Sequence, residues 1–96
     1  MSISNIIIRK TFTEGNLKAI VSVTIDDCLA IHDIKIIEAN GKTFVAMPNR
    51  KDENGVYRDI THPIHSDFRN KFETKILKAY ENRLFYEKLL KDCISG

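Results

Sequence analysis

Four side chains able to ligate a metal or move a proton, Asp59, His62, His65 and Asp67, fall within nine positions. His-x-x-His spacing can bring two imidazoles to one metal ion when a helix carries it. Here Pro63 lies inside the motif and prevents a regular helix, so the spacing loses that meaning. Turn and cap hydrogen bonds are the expected use of these groups. His32 and Asp33 are neighbours in a run of strand character, so their side chains leave on opposite faces and cannot act as base and orienting acid. His32 is expected to be buried or at an interface, bonded to backbone. Cys28 follows Asp26 and Asp27, two carboxylates that disfavour a nucleophilic thiolate. The four glycines are isolated, so no phosphate-cradling loop is present. These residues predict a protein that is not an enzyme, with no catalytic residue, no metal site and no cofactor.

The basic residues fall into two sets. Arg50 and Lys51 open a polar segment over 49–56, and Arg58 lies just past its Asn54-Gly55 turn. If the turn closes, three cations converge where a phosphate backbone could lie. Asp52, Glu53 and Asp59 offset them, so positions 50–59 carry three charges of each sign. Lys71, Lys75 and Lys78 follow i, i+4, i+7 spacing and form a second, helical stripe. From 67 to 78 there are four positive and two negative charges. Either set is weak alone, but a homodimer would present each twice, and phosphate contacts reinforce one another through counterion release.

The elements that must position these residues follow from the patterning. Ninety-six residues suit one domain, 1–96, with 43% hydrophobic and 29% charged residues, a globular composition. Apolar runs such as Ile6-Ile7-Ile8, closed at once by Arg9-Lys10, are too short to span a bilayer, and no signal peptide is evident. Fifteen basic against thirteen acidic residues give a net charge of +2, which announces no nucleic-acid binder by itself. Cys28 and Cys93, 65 positions apart with no C-x-x-C pair, fit reduced thiols in a cytoplasm.

Period-two alternation fills the first half. Ile6, Ile8 and Phe12 share a face, with Lys10 among them, before the turn at Thr13–Asn16. Leu17, Ala19, Val21, Val23 and Ile25 line one face of a second strand. Asp26-Asp27 turns the chain into a third, where a bulge at His32-Asp33 is needed to return Ile34 and Ile36 to the core. Asn40-Gly41 is a strong hairpin signal, and Pro48 ends the strand that follows. A short strand is expected over 56–60. From Ser66 the period becomes 3.6, with Ser66 or Asp67 as the cap and Phe68, Phe72, Ile76, Ala79 and Tyr80 as the apolar stripe. Leu84, Phe85, Leu89, Leu90 and Cys93 continue it, in the same helix or in a second one bent near Asn82. The predicted fold is α+β: an antiparallel sheet of four or five strands over about 3–60, with one or two C-terminal helices over about 66–94 packed on it. Such a sheet leaves one face and two edges uncovered. Ile6-Ile7-Ile8 and Phe44-Val45-Ala46-Met47 carry charge only at their ends, so few edge defences are expected.

Three segments carry a family likeness. His32-Asp33-Ile34-Lys35-Ile36-Ile37, Phe44-Val45-Ala46-Met47-Pro48 and Tyr57-Arg58-Asp59-Ile60-Thr61-His62-Pro63-Ile64 closely resemble the signature segments of the bacterial SpoVG family, the stage V sporulation or septation proteins. Glu14-Gly15 and Lys18 to Thr24 also match, and the likeness covers about residues 3–80. The resemblance implies a small dimeric sheet-plus-helix protein that binds DNA and RNA and regulates gene expression. It places the main nucleic-acid contacts at Arg50, Lys51 and Arg58; the lysine stripe, Lys71, Lys75 and Lys78, is added as an auxiliary contact from its spacing. The chain departs from the family pattern at Asp52-Glu53, where Thr-Pro is typical, which predicts a more acidic and less rigid loop. It departs again over 81–94, where an acidic tail is common and this chain is apolar.

The expected partners are therefore DNA or RNA and a second copy, without a membrane, in the cytoplasm. A rival expectation is a protein-interaction role in septation, with the apolar C-terminal helix as the docking surface for a protein partner.

Overall fold

The structure, a computed structural model, describes residues 2–95, with side chains described for 2–91. Cys93, assigned above to the helical stripe, lies outside the described side chains. Strands β1 (Ile3–Thr11), β2 (Leu17–Ile25), β3 (Leu29–Ala39) and β4 (Lys42–Ala46) form an antiparallel meander in sequence order. Strands β5 (Asn49–Lys51) and β6 (Tyr57–Asp59) pair only with each other, as a separate two-stranded ribbon. One helix, α1 (Ser66–Ser95), closes the chain and packs across the sheet. The fold is α+β, as the change of period predicts. The short strand at 56–60 does not become a fifth strand of the sheet. Its partner is the segment expected to be loop, because the Asn54-Gly55 turn folds β6 back on β5 directly.

Turn chemistry sets the register. Asp26 and Asp27 both take positive φ, 52° and 54°, as do Asn40 and Gly41, 54° and 76°. Two successive left-handed residues make the tight turn that matches strand twist, and Asp, Asn and Gly are the residues that tolerate it. Ser2 fastens the start of β1 to the first of these turns. Its amide donates to Asp26 Oδ1 at 2.7 Å, and its carbonyl accepts from the Asp26 amide at 2.8 Å.

The bulge expected in β3 is present. Val21 pairs with Ile34 and Val23 with Ile31, so one residue of β2, Ser22, opposes two of β3, His32 and Asp33. Asp33 absorbs the extra residue at φ 61°, and Ile31, Ile34 and Ile36 all reach the helix side. A second bulge, at Arg9, corrects the reading of β1. Ile8 pairs with Val21 but Lys10 with Ile20, so the phase slips by one residue. Lys10 leaves the Ile6–Ile8 face, and Thr11 takes its place, its Oγ1 donating to Glu87 Oε1 on α1 at 3.2 Å. The edges are also better defended than the sequence suggests. β1 is bulged at Ser4 and Arg9, and β4 has only five residues, both recognised ways of blunting an edge.

The core lies between one sheet face and the first half of α1. Val21, Val23, Ile34 and Ile36 are fully buried against Phe72 and Ile76, with Tyr80 at the margin. Burial, then the nearby carboxylates of Glu38 and Glu87, pushes the Tyr80 hydroxyl's pKa up. α1 is one unbroken helix of 30 residues with no break at Asn82, about 45 Å long. Its first intrahelical bond runs from the Arg69 amide to the His65 carbonyl at 2.9 Å. The cap position is therefore His65, one residue before Ser66 and two before Asp67, the two positions expected. No helix among the described residues is long and apolar enough to cross a membrane.

Candidate nucleic-acid interface

The ribbon is built around one carboxylate. Asp52 Oδ1 accepts the amides of Asn54 and Val56, each at 2.9 Å, and Oδ2 accepts Arg58 Nε at 2.8 Å. Gly55 completes the turn at φ 81°, its amide donating to the Asp52 carbonyl at 3.0 Å. The Arg58 guanidinium first, then the Val56 amide, holds the Asp52 carboxyl below the ordinary carboxylate value of 3.8. The loop is thus acidic, as expected, but not slack: Asp52 holds it through three side-chain hydrogen bonds.

Register decides which cations converge. Arg50 stands directly opposite Arg58, and Lys51 opposite Tyr57. Directly opposed residues share a face of a two-stranded ribbon, and successive residues alternate. Arg50 and Arg58 are therefore on one face, and Lys51 is on the other. All three are exposed and border an open surface hollow of about 530 Å³ that Asp52, Glu53 and Asp59 also border. Lys71, Lys75 and Lys78 are exposed on α1, away from the buried Phe72–Ile76–Tyr80 stripe, and none of them borders this hollow. The sequence grouped six cations, and the fold puts two of them on one ribbon face.

The histidines fall elsewhere. His62 is exposed, with Nδ1 3.4 Å from the Pro63 carbonyl, and Arg69 Nη2 donates to that same carbonyl at 3.1 Å. His62 and His65 border a second, apolar groove of about 430 Å³ floored by Ile31, Met47, Phe68 and Phe72. Among the described residues no three His, Cys, Asp or Glu side chains are grouped to hold a metal ion. Of the two places expected for His32, the structure excludes burial within the chain: it is exposed, and its Nδ1 lies 2.9 Å from the Ser22 hydroxyl instead of a backbone group. His32 follows Ile31, which packs on the core, so alternation puts it on the uncovered sheet face beside Ser22.

Sequence reasoning missed one set of cations. Arg9, Lys10, Lys35 and Lys42 sit on the sheet face turned away from α1. They are scattered along the chain and assembled only by the register. Alternation within each strand was the available signal, but the Arg9 bulge inverts it for Lys10.

A four-stranded meander covered by one helix, with a separate two-stranded ribbon that carries Arg50, Lys51 and Arg58, defines a small α+β protein. Its sequence matches the SpoVG family over residues 1–82. "Putative septation protein SpoVG" of Desulforudis audaxviator is 48% identical over 83 residues, covering 86% of this chain and 94% of the relative. The protein of the same name from Thermoanaerobacter sp. is 51% identical, covering 84% and 88%. That of Staphylococcus carnosus is 42% identical, covering 84% and 76%. The chain belongs to the SpoVG family.

Proposed function

We propose that this protein is a homodimeric nucleic-acid-binding regulator that acts on gene expression and on septation in the cytoplasm, without catalysis. Arg50, Lys51 and Arg58 are its principal phosphate contacts, and Lys71, Lys75 and Lys78 are auxiliary ones. The carrying observation is the pairing of Arg50 with Arg58 on one face of a ribbon that stands clear of the sheet. A two-stranded ribbon is one of the two elements that the major groove of duplex DNA admits. The septation role rests on the names of the relatives.

A second reading has its own support. Arg58 is already paired with Asp52, while Leu84, Phe85, Leu89 and Leu90 lie exposed on α1. These features favour a protein-interaction module in septation, with nucleic-acid binding incidental. The salt dependence of binding to generic DNA and RNA separates the two. A phosphate-binding protein loses affinity steeply between 50 and 200 mM salt, by about 10³-fold or more for six contacts. An interaction module binds weakly at both concentrations, and that result would sink the first reading.

A further inference from the structure

The sheet face turned away from α1 carries no other element among the described residues, and register fixes what it displays. Lys10 pairs with Ile20, Ile20 with Lys35 and Lys35 with Ala46, a row that crosses all four strands. In the adjoining row Ile37 pairs with Phe44, and further along β4 Lys42 pairs with Ala39. Phe44 is 45% exposed although it lies within a strand. Arg9 reaches over the same face: its Nε donates to Ser22 Oγ at 3.1 Å, and that oxygen lies 2.9 Å from His32 Nδ1. The anchored Nε leaves the two terminal nitrogens of Arg9 directed to no described acceptor. Lys10 Nζ sits 5.1 Å from the centre of the Phe12 ring at the end of β1.

The charge on this face is one-sided. Arg9, Lys10, Lys35 and Lys42 make no ion pair with any described residue, whereas Arg58, Arg69 and Arg83 each do. No carboxylate belongs to the paired rows of this face. Glu38 pairs with Thr43 on the helix side, and Asp33 sits in the bulge, outside the register. The ribbon, by contrast, sums to zero over 50–59. A broad, acid-free face with an exposed aromatic ring suits an anionic polymer that also offers flat apolar surfaces. Single-stranded nucleic acid is such a polymer: its phosphates follow cations, and its unstacked bases lie on aromatic side chains. A duplex hides those base faces, and nothing on this surface projects into a groove.

We infer that the uncovered sheet face is a single-strand platform, with Arg9, Lys10, Lys35 and Lys42 holding phosphates and Phe44 stacking a base. The inference rests on the nucleic-acid reading above and adds a second surface to it, selective for unpaired strands.

The test uses the full chain, fluorescein-labelled oligo(dT) and oligo(U) of about 12 nucleotides, and a 20-base-pair duplex, with binding followed by anisotropy. Lys35→Gln/Lys42→Gln should weaken both single strands and reduce their log–log salt slope by about 1.4, near 0.7 per lost contact. Phe44→Ala should cost about 5- to 100-fold on single strands. Phe44→Leu, which keeps an apolar group on the strand, should weaken them in the same direction with the circular dichroism of the wild type. None of the three should move duplex affinity, whereas Arg50→Ala/Lys51→Ala should lower it. Single-strand affinity unchanged in all three sheet variants overturns the platform, as does duplex binding by a wild type that ignores single strands. A wild type that binds neither form overturns the nucleic-acid reading itself. Conversion of the sheet variants to monomers in sedimentation would make the face a contact between copies instead, and would also overturn the proposal.

Discussion

Arg58 donates its Nε hydrogen to Asp52 Oδ2 at 2.8 Å, while the other oxygen of that carboxylate holds the turn that puts Arg58 opposite Arg50. One side chain therefore both builds the basic ribbon and offsets part of its charge. Asp52→Asn separates the two roles. The amide oxygen can still accept from Asn54 and Val56, but no anion remains for Arg58. The expected result is tighter duplex binding at low salt, with a log–log salt slope steeper by about 0.9 per protomer, one further phosphate contact. Equal slopes for the variant and the wild type would mean that Arg58 does not meet phosphate.

Arg50→Ala/Lys51→Ala removes two exposed cations from β5. If both engage phosphate in each half of a dimer, four contacts disappear and the duplex salt slope shrinks by about 3.6. Exposed substitutions of this kind change stability by less than about 0.5 kcal/mol, so thermal unfolding should be nearly that of the wild type. The register makes a finer expectation. Arg50 shares its face with Arg58 and Lys51 does not, so Arg50→Ala should account for more of the loss than Lys51→Ala. Equal single losses would show that both faces of the ribbon contact the duplex.

Acid should loosen the N-terminal tie and the ribbon together. The Ser2 amide beside Asp26 holds that carboxyl below its ordinary value of 3.8, and Arg58 does the same to Asp52. Folded-state values that lie below the unfolded ones give a contribution that is complete above pH 3.8. It is lost as pH falls through the lower folded values. Thermal unfolding should therefore be flat with pH from about 6 to 4 in respect of these two groups and decline below. Asp26→Asn should flatten part of that decline. A decline of the same size in the variant would assign the acid sensitivity to other carboxylates.

The architecture was legible because the strongest local signals agree with the global fold. Asp26-Asp27 and Asn40-Gly41 can each take two positive φ angles in succession, and the change from period two to 3.6 after Pro63 marks the start of α1. The misfit of Asp33 between Ile31 and Ile34 was enough to reveal a bulge. The Arg9 bulge was not legible, because a slip there leaves Thr11 in place of Lys10, a change that period counting cannot detect. β5 was missed because three polar residues, Asn49 to Lys51, have no alternation to show. Their strand exists only because Asp52 and Gly55 fold β6 onto it. The candidate site was legible in its members and not in its grouping. Sequence distance puts Arg50 beside Lys51, whereas pairing puts Arg50 with Arg58 and gathers Lys10, Lys35 and Lys42 onto one sheet face.

Assembly turns on the part of α1 that the family match does not include. Residues beyond 82 lie outside that match, and there the helix exposes Leu84, Phe85, Tyr86, Leu89 and Leu90. Glu87 faces the other way, accepting from Thr11 at 3.2 Å and from Arg83 at 2.9 Å, so this stretch is tied to β1 while its apolar residues are left uncovered. The bulges of β1 and the shortness of β4 argue against dimer formation through sheet edges, which leaves helix surface as the better contact. The chain is expected to sediment as a homodimer at micromolar concentration, and deletion of 82–96 should lower the stability of that dimer. The deletion also removes the Thr11–Glu87 bond, so Thr11→Val in the full chain, which keeps the side-chain shape and removes the donor, serves as the control for that loss alone. A species near 11.0 kDa at all concentrations would refute the dimer. A truncated dimer as stable as the full one would free the apolar stretch for a different protein. Loss in the truncation but not in Thr11→Val would assign the contact to Leu84, Phe85, Leu89 and Leu90.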